Sequence, residues 1–246
     1  MKGGQLKVAG LVCVAFFICW MVYDNARNST RHWFKDTLPD PHTIETWSSH
    51  DLDARLFKLS RWEQFNPAQF RRFVTHQIDG LDMSRKDAFH FLEVGVGVGA
   101  FAREILRQFP NATGVGFDLE AEAVAIAERV LPRARMTVYT EDMVHFRGAP
   151  DTFDLVLVPG SLCYLHSMDD VLRSLAEMSR VLKPGGGLCA SMLASRTSAM
   201  GSCNIRIPKR IWHTRPGLTL VRMQEMDGWG LPHSYGRYAV CLRKTK

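Results

Sequence analysis

A chain of 246 residues, 46% hydrophobic and 23% charged, carries enough apolar matter for one packed domain plus an appendage, which excludes a wholly disordered or collagen-like chain. The net charge of +6 is spread through the sequence without a dense Lys/Arg block, which argues against a nucleic-acid groove. Six cysteines show no CxxC pair and no metal-ligand spacing, so no metal site is expected, and Cys189 and Cys241 read as free buried thiols in predicted strands.

The N-terminal segment opens with Lys2 and Lys7 and is then apolar from Val8 to Tyr23, roughly 24 Å of helix against a hydrocarbon core of ~30 Å. Leu6, with Lys7 snorkelling, extends it, and Trp20 and Tyr23 suit the membrane interface at its far end. Residues 1–24 are therefore read as an uncleaved single-pass signal-anchor in an endomembrane, with a cleaved signal peptide and a buried core helix as rivals. Flanking charges are nearly balanced, so the side of the membrane stays open. Two glycosylation sequons, Asn28-Ser29-Thr30 and Asn111-Ala112-Thr113, would matter only on a lumenal side.

Residues 25–43 are polar, contain Pro39 and Pro41, and read as a linker. A catalytic domain is expected over 44–246, opening with a helical pre-domain at 44–82. There Leu52, Leu56 and Leu59 share one face, Phe65, Phe70, Phe73 and Ile78 another, and Pro67 marks a break or a start. Two roles are open to it: packing against the sheet, or forming a lid over a ligand.

From Phe89 onward the pattern alternates between strand and helix. The run Phe89 to Val94 stops at Gly95, Gly97 and Gly99, and a helical pattern follows. Thr113–Asp118, Arg135–Tyr139, Phe153–Val158 and Leu188–Leu193 are predicted strands, with helices over 121–130 and 168–182. Lys183-Pro184-Gly185-Gly186-Gly187 is expected to stop the last helix, and 218–226 with 238–242 to form an antiparallel hairpin. The predicted fold class is α/β, a doubly wound and mostly parallel sheet with a C-terminal antiparallel hairpin, preceded by one N-terminal apolar helix.

In such a sheet ligands bind beyond the carboxyl ends of the strands. Those ends carry Glu93 with the three glycines, Asp118, Glu141 with Asp142, and Pro159-Gly160-Ser161. Glycines let a backbone approach a ligand closely, and the helix start beyond them offers N–H groups. Asp118, about 20 residues beyond the turn, can accept hydrogen bonds from ribose hydroxyls. A carboxylate at position 93 would repel a pyrophosphate and suits a cationic amino-acid end. That favours S-adenosylmethionine (SAM) over a nicotinamide or flavin dinucleotide.

The stretches LEVGVGVG (92–99), GFDLE (116–120), EDM (141–143), FDLVLVPGSLCYL (153–165) and RVLKPGGGL (180–188) resemble the class I SAM-dependent methyltransferases, a Rossmann-like family, in their small-molecule group with the VLKPGG signature. The resemblance implies that Glu93, Gly95, Gly97 and Gly99 hold the methionine end and Asp118, with Leu119 beside it, the ribose. It also implies Asp142 at the adenine amino group, Met143 against the ring, and Pro159 beside the sulfonium. Proton acceptors for an O or N nucleophile are sought on the same edge, and Tyr164, His166 and His233 are the candidates. The expected acceptor is a small molecule, with a lipid-like one favoured by the anchor. The alternatives are a catalytically degenerate binding module on the same fold and a nicotinamide-dependent oxidoreductase. The sequence carries no signal of oligomeric state.

Overall fold

The computed structural model describes residues 38–60, 67–84, 87–193, 205–225 and 237–245, all within one compact unit, Asp36–Lys246. The expected anchor falls outside the described residues, as do His233, Phe65 and the sequon at Asn28. Among the described residues no helix is long and apolar enough to cross a membrane.

Three helices precede the sheet: α1 (Pro41–Ile44), α2 (Ser49–Leu59) and α3 (Pro67–Ile78). The expected linker ends earlier than 43, because Asp40 caps α1 by accepting a hydrogen bond from the His42 N–H. Strand β1 (His90–Val94) leads into α4 (Ala100–Gln108), β2 (Thr113–Asp118), α5 (Ala121–Val130), β3 (Met136–Thr140) and β4 (Phe153–Pro159). Helix α6 (Met168–Val181), β5 (Leu182–Leu193), β6 (Leu218–Glu225) and β7 (Arg237–Lys244) complete the order, with short 3-10 turns at Leu162–Tyr164 and Lys209–His213.

The seven strands lie in the order β3-β2-β1-β4-β5-β7-β6. Strands β1 to β5 pair in parallel, and β7 runs antiparallel to both β5 and β6. The doubly wound sheet with its terminal antiparallel pair is thus the predicted architecture. The order of the strands reverses between β1 and β4, where an open sheet of this kind leaves a crevice.

Alternation along β1 sends Leu92 and Val94 to one face, with Phe91 and Glu93 on the other. Leu92 and Val94 join Phe117, Val156, Val158, Leu188, Val240 and Leu242 in a buried layer against Val171, Leu175 and Met178 of α6. The described helices of the pre-domain pack against the helices that flank the sheet. Phe70 and Phe73 of α3 meet the Phe101 ring of α4 edge-on at 6.3 and 6.0 Å. Asp53 of α2 pairs with Arg103 at 2.7 Å, and Glu45 with Arg129 at 3.4 Å.

Two expectations are corrected. Helix α6 stops at Val181, just before Lys183–Gly187 as expected, but β5 starts earlier than position 188: Leu182 already pairs with Phe153, and pairing resumes at Leu155 with Gly187. The Pro-Gly segment is an irregularity inside the pairing, pinned by Lys183 Nζ to Asp154 Oδ1 at 2.7 Å. Cys189 and Cys241 are not free thiols, because the β5–β7 register sets them directly opposite each other and a disulfide joins them. Sequence spacing could not show this, since the pairing depends on β7 returning beside β5.

Candidate active site

At the end of β1 the chain must turn sharply enough to start a helix, and the glycines make that turn. Gly95, Gly97 and Gly99 all have positive φ (80°, 53° and 85°), which costs an L-residue roughly 1–2 kcal/mol. The N–H groups of Gly95 and Val96 both donate to the Phe117 carbonyl, at 2.9 and 3.0 Å, so the turn is fastened to β2. Ser161 fastens it from the other side, with Oγ donating to the Val94 carbonyl at 2.8 Å. A Cβ at Gly95 would lie 2.6 Å from the Ser161 Cβ, so position 95 has no room for a side chain. Gly99 is the N-cap of α4 and provides no side-chain cap to its first-turn N–H groups.

Asp118 closes the turn. Its Oδ2 accepts from the Gly97 N–H at 2.8 Å and its Oδ1 from the Glu120 N–H at 3.1 Å. Burial nevertheless pushes this carboxyl above its ordinary range, against the pull of those N–H groups and that of Leu119. Glu93 is 1% exposed, and its Oε2 has no hydrogen-bond partner among the described residues. Burial first, and the Asp118 charge second, push Glu93 well above the usual carboxylate range. A buried acid with an orphaned oxygen, beside a half-buried one, leaves a place for a cation.

The remaining strand ends are arranged around this pair. The Glu141 N–H donates to the Asp118 carbonyl at 3.0 Å, setting the end of β3 beside β2. Asp142 Oδ1 accepts from the Val144 N–H, and Oδ2 lies 2.9 Å from His145 Nδ1. The carboxylate is thus held in a local turn, with 36% of its side-chain surface accessible. Met143 packs against the main core. Leu119 is 57% exposed although strongly apolar, immediately after the acid that closes the turn. Pro159 is buried at the end of β4. The structure therefore brings Glu93, the glycines, Asp118, Leu119, Asp142, Met143 and Pro159 to one edge of the sheet.

The proton-acceptor candidates are less gathered. Tyr164 closes the 3-10 turn after β4 and is half-buried, and His166 follows it exposed. Sequence reasoning passed over two further features. Ser191, opposite Pro159 in the register, is buried near the end of β5 with its Oγ unpartnered among the described residues. Tyr238, opposite Met192, accepts from Trp212 Nε1 at 3.0 Å and donates to the Ile207 carbonyl at 2.9 Å. A polar residue near the end of an apolar strand was the available signal for Ser191. Nothing in the sequence joins Tyr238 to Trp212.

Residues 91–186 match a family described as a methyltransferase domain. The chain is similar to the Streptomyces halstedii methyltransferase GfsG, 28% identical over 184 residues, which are 71% of this chain and 57% of that protein. It is also similar to the sterol 24-C-methyltransferase erg6 of Aspergillus fumigatus, 30% identical over 139 residues, covering 53% of this chain and 34% of the relative. The chain thus spans between a third and three-fifths of these relatives. Among solved structures, the N-methyltransferase NodS of Bradyrhizobium japonicum in complex with S-adenosyl-L-homocysteine superposes with a TM-score of 0.55 at 23% identity, covering 74% of this chain and 89% of that one. Residues 91–186 are thus similar to a methyltransferase domain, on a fold shared with a protein solved with S-adenosyl-L-homocysteine bound.

Proposed function

We propose that the protein transfers a methyl group from SAM to a small, lipophilic acceptor. The observation that carries the donor half of this reading is the orphaned, buried carboxylate oxygen of Glu93 beside Asp118, at a turn too tight for side chains. SAM bears an ammonium and a sulfonium, so it suits two neighbouring acids where a pyrophosphate would not. Bound there, the donor supplies an activated methyl group on a good leaving group. Glu93 and the glycine turn hold its amino-acid end, Asp118 its ribose hydroxyls, and Asp142 its adenine amino group. Leu119 and Met143 offer apolar contact to the base, and Pro159 lines the wall on the sulfonium side.

Displacement of this kind needs the acceptor held in line with the departing sulfur, so the protein chiefly orients its two substrates. For an O or N acceptor a proton must also leave. Tyr164 and His166 stand on the first loop beyond β4 and are the described groups assigned to receive it, with His233 a third candidate outside the described residues. A lipophilic acceptor is supported by the names of similar proteins, a sterol methyltransferase and the demethylmenaquinone methyltransferase of Chlamydia trachomatis. It is supported as well by the apolar run 8–23, read as a membrane anchor.

Asp118→Ala removes both the ribose acceptor and the group closing the turn. Losing charge-assisted hydrogen bonds of about 1.5–3 kcal/mol weakens donor binding by roughly 10–150-fold. Calorimetry with SAM on the full-length protein in detergent checks this, and unchanged affinity would sink the site. Incubation with methyl-labelled SAM and membrane lipid extract should then yield a labelled apolar product. Label confined to protein would redirect the acceptor to a polypeptide.

A further inference from the structure

We propose that the Asp36–Lys246 unit matures inside an oxidising, glycosylating lumen and carries an N-linked oligosaccharide on Asn111. Two independent features lead there. The first is covalent. Cys189 and Cys241 face each other in register across β5 and β7, with Cα atoms 4.2 Å apart, and are disulfide-bonded; Cys163 is disulfide-bonded as well. Stable structural disulfides belong to secreted and lumenal proteins and are rare where glutathione keeps thiols reduced. Cysteines placed opposite each other in the middle of a sheet are brought together by folding itself. Thiol–disulfide exchange with a protein disulfide then oxidises both, and that disulfide takes up the two electrons and two protons as it is reduced to two thiols.

The second feature is the sequon Asn111-Ala112-Thr113 and its position. Asn111 and Thr113 are exposed while Ala112 is buried. They occupy the short turn between α4 and β2, where Thr113 pairs with His90, the first residue of β1. That is the opposite edge of the sheet from Gly95, so a bulky glycan there leaves the candidate active site uncovered. The middle residue is alanine, not proline, as the acceptor sequence requires. In the modification, the Asn111 amide nitrogen forms a bond to C1 of a sugar carried on a polyprenyl diphosphate. The C1–O bond to the diphosphate breaks, the amide loses one proton, and the lipid diphosphate departs. Neither feature rests on the methyl-transfer reading, and both point to the same oxidising compartment.

The full chain, expressed in cultured eukaryotic cells from its own N-terminus without an added leader, provides the test. Peptide N-glycosidase digestion in ¹⁸O water should convert Asn111 to labelled aspartate. Asn111→Gln should run faster on a gel by one glycan step, Thr113→Ser should keep the glycan, and Asn28→Gln assigns any shift from the other sequon. A non-reduced digest should release the Cys189 and Cys241 peptides linked. Recovery of Asn111 unmodified overturns the proposal, and so does alkylation of Cys189 and Cys241 without prior reduction. Should Asn111→Gln fail to accumulate, the wild-type peptide masses decide the question alone.

Discussion

The two halves of the ligand-bearing sheet edge are built by different means. On the β1–β3 side the site is backbone: three glycines, the Phe117 carbonyl that receives two N–H groups, and an acid that accepts two more. Nearly every contact there lies within one strand–turn–helix unit or its immediate neighbour. On the β4–β7 side the walls come from segments distant in sequence. The Ile205 N–H donates to the Cys163 carbonyl, and Tyr238 joins Trp212 to Ile207. A donor common to many enzymes needs one fixed cradle, whereas an acceptor differs with each reaction. The local half can stay constant while the long-range half is rebuilt.

The greatest loss of donor affinity is expected at Gly95. Gly95→Val places a branched side chain where φ is +80° and where the first added carbon already meets Ser161 at 2.6 Å. Either the turn or the β4 end must move, and SAM binding should fall below detection in calorimetry. Gly185→Ala is the matched control. Its φ is also +80°, yet an added Cβ meets nothing within 4 Å. It should cost only the conformational strain, about 1 kcal/mol of stability, and leave SAM affinity unchanged. Equal effects from the two variants would show that strain alone, without crowding, accounts for the turn.

Glu93→Gln should produce a smaller loss with a distinctive pH dependence. In the free protein the acid is pushed up by burial and by Asp118, so acidification protonates it well before an ordinary glutamate. A cationic ligand prefers the ionised form, so wild-type affinity for SAM should fall as pH drops through the raised value. The variant should bind about tenfold more weakly at neutral pH, as for a lost hydrogen bond to a charged group, and should not show that pH dependence. Stability runs the other way. A folded-state value raised above the unfolded one, about 4.3, gives stability that is complete below the unfolded value and lost as pH rises through the folded value. The unliganded Glu93→Gln protein should therefore melt above wild type at neutral pH. A lower melting temperature would mean that the Glu93 carboxylate is partnered after all.

The same contrast governs what could be read in advance. The order of strands and helices, the turn at Gly95, and the acids at positions 93, 118 and 142 were legible because each depends on period-2 or helical patterning and on a residue at a strand end. The disulfide was not, since Cys189 and Cys241 become neighbours only when β7 inserts between β5 and β6. Lys183-Pro184-Gly185 follows the end of α6 as a stop signal should, but the start of β5 ahead of it was not legible. Leu182, just before it, already holds the pairing to Phe153 across the irregularity. Ser161 was placed at the correct edge, but its part in fastening the turn through the Val94 carbonyl is a contact across 67 residues.

Tyr238→Phe tests the long-range half and should leave donor affinity least changed. The hydroxyl sits at the fully buried junction of β7, the 3-10 turn at Lys209–His213 and the segment before it, and serves one donor and one acceptor. Removing it leaves Trp212 Nε1 without its acceptor and the Ile207 carbonyl without its donor. A buried group stripped of its partner costs about 1–3 kcal/mol, and that loss should appear as a lower melting temperature. SAM affinity should stay within about twofold of wild type, because no atom of the glycine turn or of Asp118 touches this junction in the described contacts. If the two halves are separable, turnover with the eventual acceptor should fall through KM for that acceptor and not through KM for SAM. A parallel loss of SAM affinity would mean that the β5–β7 end also sets the shape of the donor cradle. The division drawn between the halves would then have to move to β6.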